Sequence, residues 1–271
     1  MSIVNSILAT IRFEMSRVMT LQRMGVAFVM MLFPPAMVFV LDSSGALVAP
    51  EFVIAVLCGM ICLLSLLLWA TSNVYTELEG RSWTFITSRP YGRWSILFGK
   101  FLISFVWSFL IAWASLTICM LIDFQAEFML AAVESQDTGV SRLTIWFNLS
   151  VMLFLASMVY SAIFSFLGVI IQRRAMVVAV GYFLIVEIVF ALIPAVIGKL
   201  AMSYHMVSLL SQWLGWIIPD DESRENFADI WGQYPPWLHL GAIFLMTGIM
   251  LGASAVIIRS REYITLEDDQ V

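Results

Sequence analysis

Six stretches of the chain are almost continuously apolar: about 25–41, 51–74, 96–122, 145–171, 175–197 and 237–259. Runs of about 20 apolar residues, at about 1.5 Å per residue, are long enough to cross a hydrocarbon core of roughly 30 Å. Polar residues gather between the runs, so the pattern predicts six transmembrane helices. The first run is short and carries Pro34-Pro35, which predicts a kink or an earlier start. The fourth and fifth are separated only by Gln172-Arg173-Arg174. Two adjacent arginines are costly in mid-bilayer, so the chain is expected to turn there.

Residues 2–23 have a different rhythm. Val4, Ile7, Leu8, Ile11, Met15, Val18 and Met19 fall on one helical face, with Arg12, Arg17 and Arg23 off it. Phe13 lies on the polar side. The pattern predicts an N-terminal amphipathic helix, within residues 1–24, lying in the inner headgroup layer with its cations toward anionic lipid. A simple extension of the first span is the alternative. With Arg12, Glu14, Arg17 and Arg23 ahead of the first apolar run, the stretch is too long and polar for the start of a signal peptide. Residues 198–236 form the longest segment on the outer side. Their first half is apolar enough for short helices resting in the outer interface, and their second half is acidic and turn-rich.

Composition agrees. The 271 residues are 61% hydrophobic and 12% charged, which excludes an ordinary soluble domain. The expected fold class is an all-α polytopic membrane protein, one domain over 1–271. Helices satisfy their own backbone hydrogen bonds in lipid, and the alternating ten-residue strands of a β-barrel do not occur. Charge sets an orientation. With the N-terminus inside, the outer segments hold only Arg142, Lys199 and Arg224 of the 14 lysines and arginines. Both termini are therefore expected to be cytoplasmic. Acids favour the outer side, so the net charge of −5 reflects an acidic outer face, and a basic nucleic-acid surface is absent.

The most informative polar segment is Glu77 to Lys100, ELEGRSWTFITSRPYGRWSILFGK. Pro90 cannot continue a helix, so a short helix of about 81–88 is expected to end near Arg89. Gly80 suits a helix C-cap or tight turn. The result is a compact cytoplasmic knob, within 75–95, between two long spans. The order Glu77, Glu79, Gly80, then Pro90, Arg93, Gly99 and Lys100 resembles the cytoplasmic coupling segment of ABC type-2 permeases, the membrane subunits of a class of ABC exporters. Arg81 stands where many members have Thr; the Gly-Arg version looks like the branch near the copper-enzyme-maturation permeases.

Glu187 lies inside the fifth span, roughly 18 Å along the helix from Ala175. A carboxylate there must face the bundle or a wet cavity, be protonated, or have a partner. Its spacing before Pro194 also resembles the family. Two readings stay open: a pathway or gate residue, and a structural bond to Ser, Tyr or backbone on a neighbouring helix. Cys58, Cys62 and Cys119 lie in apolar runs and read as small buried hydrophobes. His205 and His239 have no Cys, Asp or Glu at ligand spacing, so no metal site is expected. A phosphate-binding G-x-x-x-x-G-K-[ST] loop is absent, and so is any hydrolase motif.

The resemblance implies a transport subunit rather than an enzyme. It implies a partner cytoplasmic ABC ATPase that carries ATP and Mg, and a second permease copy, identical or related. The setting would be a multi-pass location in the inner membrane with lipid around it. This chain would bind no cofactor itself. Glu77, Glu79, Gly80, Arg81, Trp83, Arg89, Pro90 and Arg93 would form or shape the ATPase contact, and Lys100 would snorkel to the inner interface. Two other functions fit the residues. One is a non-transporting anchor that passes ATPase motion to an extracytoplasmic partner. The other is an ion-coupled carrier using Glu187.

Overall fold

The computed structural model describes residues 3–43, 50–71, 92–121, 142–171, 174–189, 199, 201–214 and 234–260. Among these every regular element is helical. They are α1 (Ile3–Val18), α2 (Leu21–Ser43), α3 (Pro50–Trp69), α4 (Gly92–Leu121) and α5 (Arg142–Ile170). Then come α6 (Ala175–Tyr182), which runs into a π-helical segment Phe183–Val189, α7 (Met202–Leu214) and α8 (Pro236–Ser260).

A helix stands at each of the six apolar runs. Four contain stretches long and apolar enough to cross a membrane: Leu21–Leu41, Trp94–Leu121, Leu143–Ile170 and Pro236–Ser260. The other two, Ile54–Trp69 and Ala175–Val189, are shorter apolar helices within the described residues. The first run takes the earlier start: α2 begins at Leu21 and continues through Pro34-Pro35.

At the centre is α5, with 67% of its most apolar window buried against 22–33% for the other three long helices. It packs on α3, α4, α6, α7 and α8, and α4 in turn carries α1, α2 and α3. Small residues let α4 and α5 approach. Ser104, Ser108, Ala112, Ser157, Ser161, Ala162 and Ser165 are all buried, and Ser161 Oγ donates to the Phe101 carbonyl at 3.3 Å. Small interfacial residues and an occasional hydroxyl bond are how helices associate where lipid removes the hydrophobic drive. Aromatics fill the rest of the seam. Phe154 meets Phe105 and Phe109 edge-on, and Trp146 Nε1 donates to Thr117 Oγ1 at 3.3 Å. Cys58, Cys62 and Cys119 are buried free thiols in this core, as small hydrophobes are.

The apolar stripe of α1 is divided: Val18 is buried, while Leu8, Met15 and Met19 are exposed, as is Phe13. The face that packs on α4 runs through Thr10 and Glu14. In the apolar first half of 198–236, α7 forms and packs on the bundle. Met202, Met206, Leu209 and Leu210 recur at helical spacing and are buried where α7 packs on α5 and α8.

Candidate functional site

Of the residues expected to contact a partner, Glu77, Glu79, Gly80, Arg81, Trp83, Arg89 and Pro90 lie outside the described residues, as does the expected helix at about 81–88. Arg93 lies in the first turn of α4. What the structure describes is the root on either side of residues 72–91: the end of α3 through Thr71 and the start of α4 at Gly92. Both sides of that root are held tightly.

On the incoming side, α3 ends against α5. A Cβ placed on Gly168 would meet the Thr71 carbonyl oxygen at 2.7 Å, so only glycine allows this approach. Thr71 Oγ1 donates back to Leu67 at 2.6 Å. On the outgoing side, α4 starts against α1. A Cβ on Gly99 would meet Thr10 Cγ2 at 2.8 Å. One residue on, Lys100 Nζ lies 3.4 Å from Glu14 Oε1, and Arg17 Nη1 lies 3.7 Å from the same oxygen. Leu97, Val169, Ala255 and Ile258 close this end as a small apolar cluster.

Lys100 therefore does not snorkel to an interface. It is 4% exposed, and its charge is turned inward onto α1. The physical reason is the partner: a buried ammonium is tolerable when a carboxylate meets it, and removing one member leaves the other uncompensated. Sequence reasoning missed this pair. Its faint signal was Glu14, the single acid among the arginines of α1.

The second polar site is built round Glu187, 3% exposed. Its Oε2 accepts from Tyr160 Oη at 3.0 Å and from the Ser203 backbone N–H at 2.8 Å. Its Oε1 accepts from Tyr182 Oη at 3.1 Å and from the Met202 N–H at 3.3 Å. Ser203 Oγ donates to the Glu187 carbonyl at 3.0 Å. All four carboxylate partners are donors, the complement of an acceptor-only group. Two are N–H groups of the first turn of α7, which have no partner inside their own helix. Glu187 thus caps α7 from another element, where the helix dipole also favours negative charge. The π-helical turn helps: its wider spacing suits the contact between Tyr182 and Glu187, five residues apart. Of the two readings of Glu187, the structural bond has its partners in view.

Beyond the cap, His205 on α7 and His239 on α8 meet at 2.9 Å, Nδ1 to Nδ1. Tyr204 and Tyr234 flank them. Among the described residues no group of three or more His, Cys, Asp or Glu could hold a metal ion. Between α3, α4, α5 and α7 lies an apolar cavity of about 190 Å³, bordered by Val56, Gly59, Leu116, Leu149, Met152 and Met206 among others.

A search of curated proteins finds no match to this chain. The family model described as ABC-2 family transporter protein matches residues 9–262. That match takes in every helix described above apart from the first residues of α1, and it agrees with a multi-pass assembly whose polar sites hold helices rather than reacting atoms. The chain belongs to the ABC-2 family of transporter proteins, as a membrane component and not a catalytic one.

Proposed function

We propose that the chain is the permease subunit of an ATP-driven exporter. A separate cytoplasmic ATPase would supply ATP and Mg chemistry and press on residues 75–95, with Glu77, Glu79, Gly80, Arg81, Trp83, Arg89, Pro90 and Arg93 forming or shaping the contact. The functional unit on this reading is a pair of six-helix permeases in an inner membrane, both termini on the cytoplasmic side. Permeases of this family work with ATPase subunits of that kind, which supports the partner. The copper-enzyme-maturation branch rests on Arg81 and stays a proposal.

One observation carries the coupling reading. The root of the segment is fastened to α1 through Lys100–Glu14 and the Gly99–Thr10 approach, and to α5 through Gly168–Thr71. A push on residues 72–91 would then reach the central helix without being absorbed in a loose joint. At the far end α7, capped by Glu187, is the element such a push would displace, so Glu187 acts as its anchor. Charge reversal at Glu77 and Glu79 together tests the docking. The expected result is a chain that inserts normally but no longer co-purifies a stoichiometric ATPase. Unchanged co-purification and transport would refute the contact, and a wild-type chain that purifies stably alone would favour the ion-coupled carrier.

A further inference from the structure

The polar atoms around His205 and His239 fix which nitrogen carries which proton. The Lys199 carbonyl lies 3.0 Å from His205 Nε2 and can only accept, so Nε2 is protonated. A neutral His205 then presents a bare Nδ1 to His239, whose Nδ1 must donate across the 2.9 Å gap. That leaves His239 Nε2 bare, and Ser208 Oγ at 2.9 Å is its donor. Gln212 Nε2 donates onward to Ser208 Oγ at 3.4 Å and to the Tyr234 carbonyl at 3.0 Å. Every donor in the run meets an acceptor when both rings are neutral and in opposite tautomers.

One added proton reverses the run without breaking it. A proton arriving at His239 Nε2 frees the Nδ1 proton to pass to His205 Nδ1. His205 then carries both ring protons and donates to His239, while His239 Nε2 donates to a Ser208 hydroxyl that has turned. The pair now holds three ring protons and one positive charge. A second added proton puts N–H on both facing nitrogens, with two like charges across the same gap. No hydrogen bond survives there, and the rings must part.

Among the described residues, what favours a charged ring is a backbone carbonyl on each: that of Lys199 on His205 and that of Tyr234 on His239. Tyr204 packs on both rings, and Tyr234 packs on His239 with its backbone carbonyl also facing that ring. The Lys199 ammonium bonds Tyr234 Oη at 3.0 Å and adds positive charge nearby. Glu187, from the π-helical segment, bonds the first N–H groups of α7, and Asn148, from α5, reaches the Trp213 carbonyl at its other end. Among the described residues no carboxylate bonds either ring. Burial, and then the His239 charge, lower the proton affinity of His205. The sign follows: with its folded pKa depressed, His205 contributes stability that is full above the ordinary imidazole value of about 6.5 and is lost as pH falls through the folded value.

We propose that His205 and His239 form a proton-binding site that shares one proton between two rings and releases α7 from α8 when it takes a second. The chain has two histidines, so full-length protein labelled with ¹⁵N-histidine and purified through a histidine-free tag reports on these rings alone. In lipid nanodiscs we expect two uptake steps separated by more than one pH unit, the size that marks interacting groups. Hydrogen-exchange protection of α7 should fall with the second step and not the first. His239→Gln and His205→Gln should each leave a single step, and protection of α7 that no longer follows pH in that window. Two independent steps near the ordinary value, unmoved by either substitution, would overturn the proposal, as would α7 protection that stays flat through the second step. Should a variant fail to fold, the wild-type titration decides alone: separated steps support the site and a common step refutes it.

Discussion

The two ends of the helix assembly handle buried charge in opposite ways. At the root of residues 72–91, Lys100 and Glu14 form an ion pair inside a joint where Gly168 admits the Thr71 backbone and Gly99 admits the Thr10 side chain. At the other end, roughly 28 Å away along α8 from Ile258 to His239 at 1.5 Å per residue, Glu187 is met by hydroxyl and backbone donors, and the histidines by one another. The first arrangement is close-packed: Gly168 lies against the Thr71 carbonyl, and the Glu14 carboxylate faces both Lys100 and Arg17. The second is a run of groups that can exchange protons and turn. A stiff base and a rearrangeable far end are what a permease needs if force enters at one side and access changes at the other.

The largest effect should come from breaking the stiff end. Lys100→Met leaves Glu14 buried with the weaker Arg17 contact, and loss of one member of a buried pair typically costs about 3–5 kcal/mol. The three buried cysteines supply the readout, because a thiol-reactive dye reports unfolding as they become exposed on heating. Glu14→Met with Lys100→Met should recover most of the loss, since an apolar pair of similar volume replaces an ion pair at little cost. A double variant as unstable as the single would mean that geometry, and not charge, secures α1 to α4.

Breaking the far end should cost less and should stay local. Glu187→Gln keeps the shape but turns one acceptor oxygen into a donor amide, which then faces hydroxyl or N–H donors. An unsatisfied buried group costs about 1–3 kcal/mol. We expect faster exchange of the Met202 and Ser203 amides, with the root of residues 72–91 unaffected. Transport at normal rate and pH dependence would refute a role for the charge in gating. Equal loosening at both ends would erase the contrast between them.

How much of this was legible in the sequence follows from the kind of interaction. Hydrophobic runs report burial directly, so the helices at 51–74 or 237–259 could be placed without a structure. The family was legible by resemblance through Gly80, Pro90 and Arg93, and the family match agrees, while the coupling role proposed for them falls mostly outside the described residues. Glu187 stood out because a carboxylate in an apolar run must have a reason. Its partners did not, because Tyr160 and Tyr182 look like any aromatic in a span, and a π-helical turn leaves no mark in periodicity. Lys100 was misplaced because a lysine at the mouth of a span usually snorkels. Only the approach of α1, permitted by Gly99, decides that it points inward. His205 and His239 are 34 residues apart and share no spacing that one chain could reveal. Pairings made by tertiary contact are what a single sequence conceals.

The smallest effect sharpens the comparison most. Tyr160 and Tyr182 each give one hydroxyl bond to Glu187, one to each oxygen. Hydrogen bonds between membrane helices average about 0.6 kcal/mol, so Tyr182→Phe alone should shift unfolding barely beyond error. Tyr160→Phe should cost somewhat more, because Tyr160 is fully enclosed, at 4% exposed, and its loss leaves a dry gap. The two share one carboxylate, so their effects should not add. With both hydroxyls gone, Glu187 keeps only the Met202 and Ser203 N–H groups, at 3.3 and 2.8 Å. If the cap depends on the whole set, the double variant should loosen α7 by more than the sum of the singles, read as amide exchange over Met202–Leu214. Strict additivity would instead make the two backbone bonds sufficient and the tyrosines simple packing. The α7 cap would then be held by backbone donors alone, and the contrast between the two ends would rest on the histidine pair.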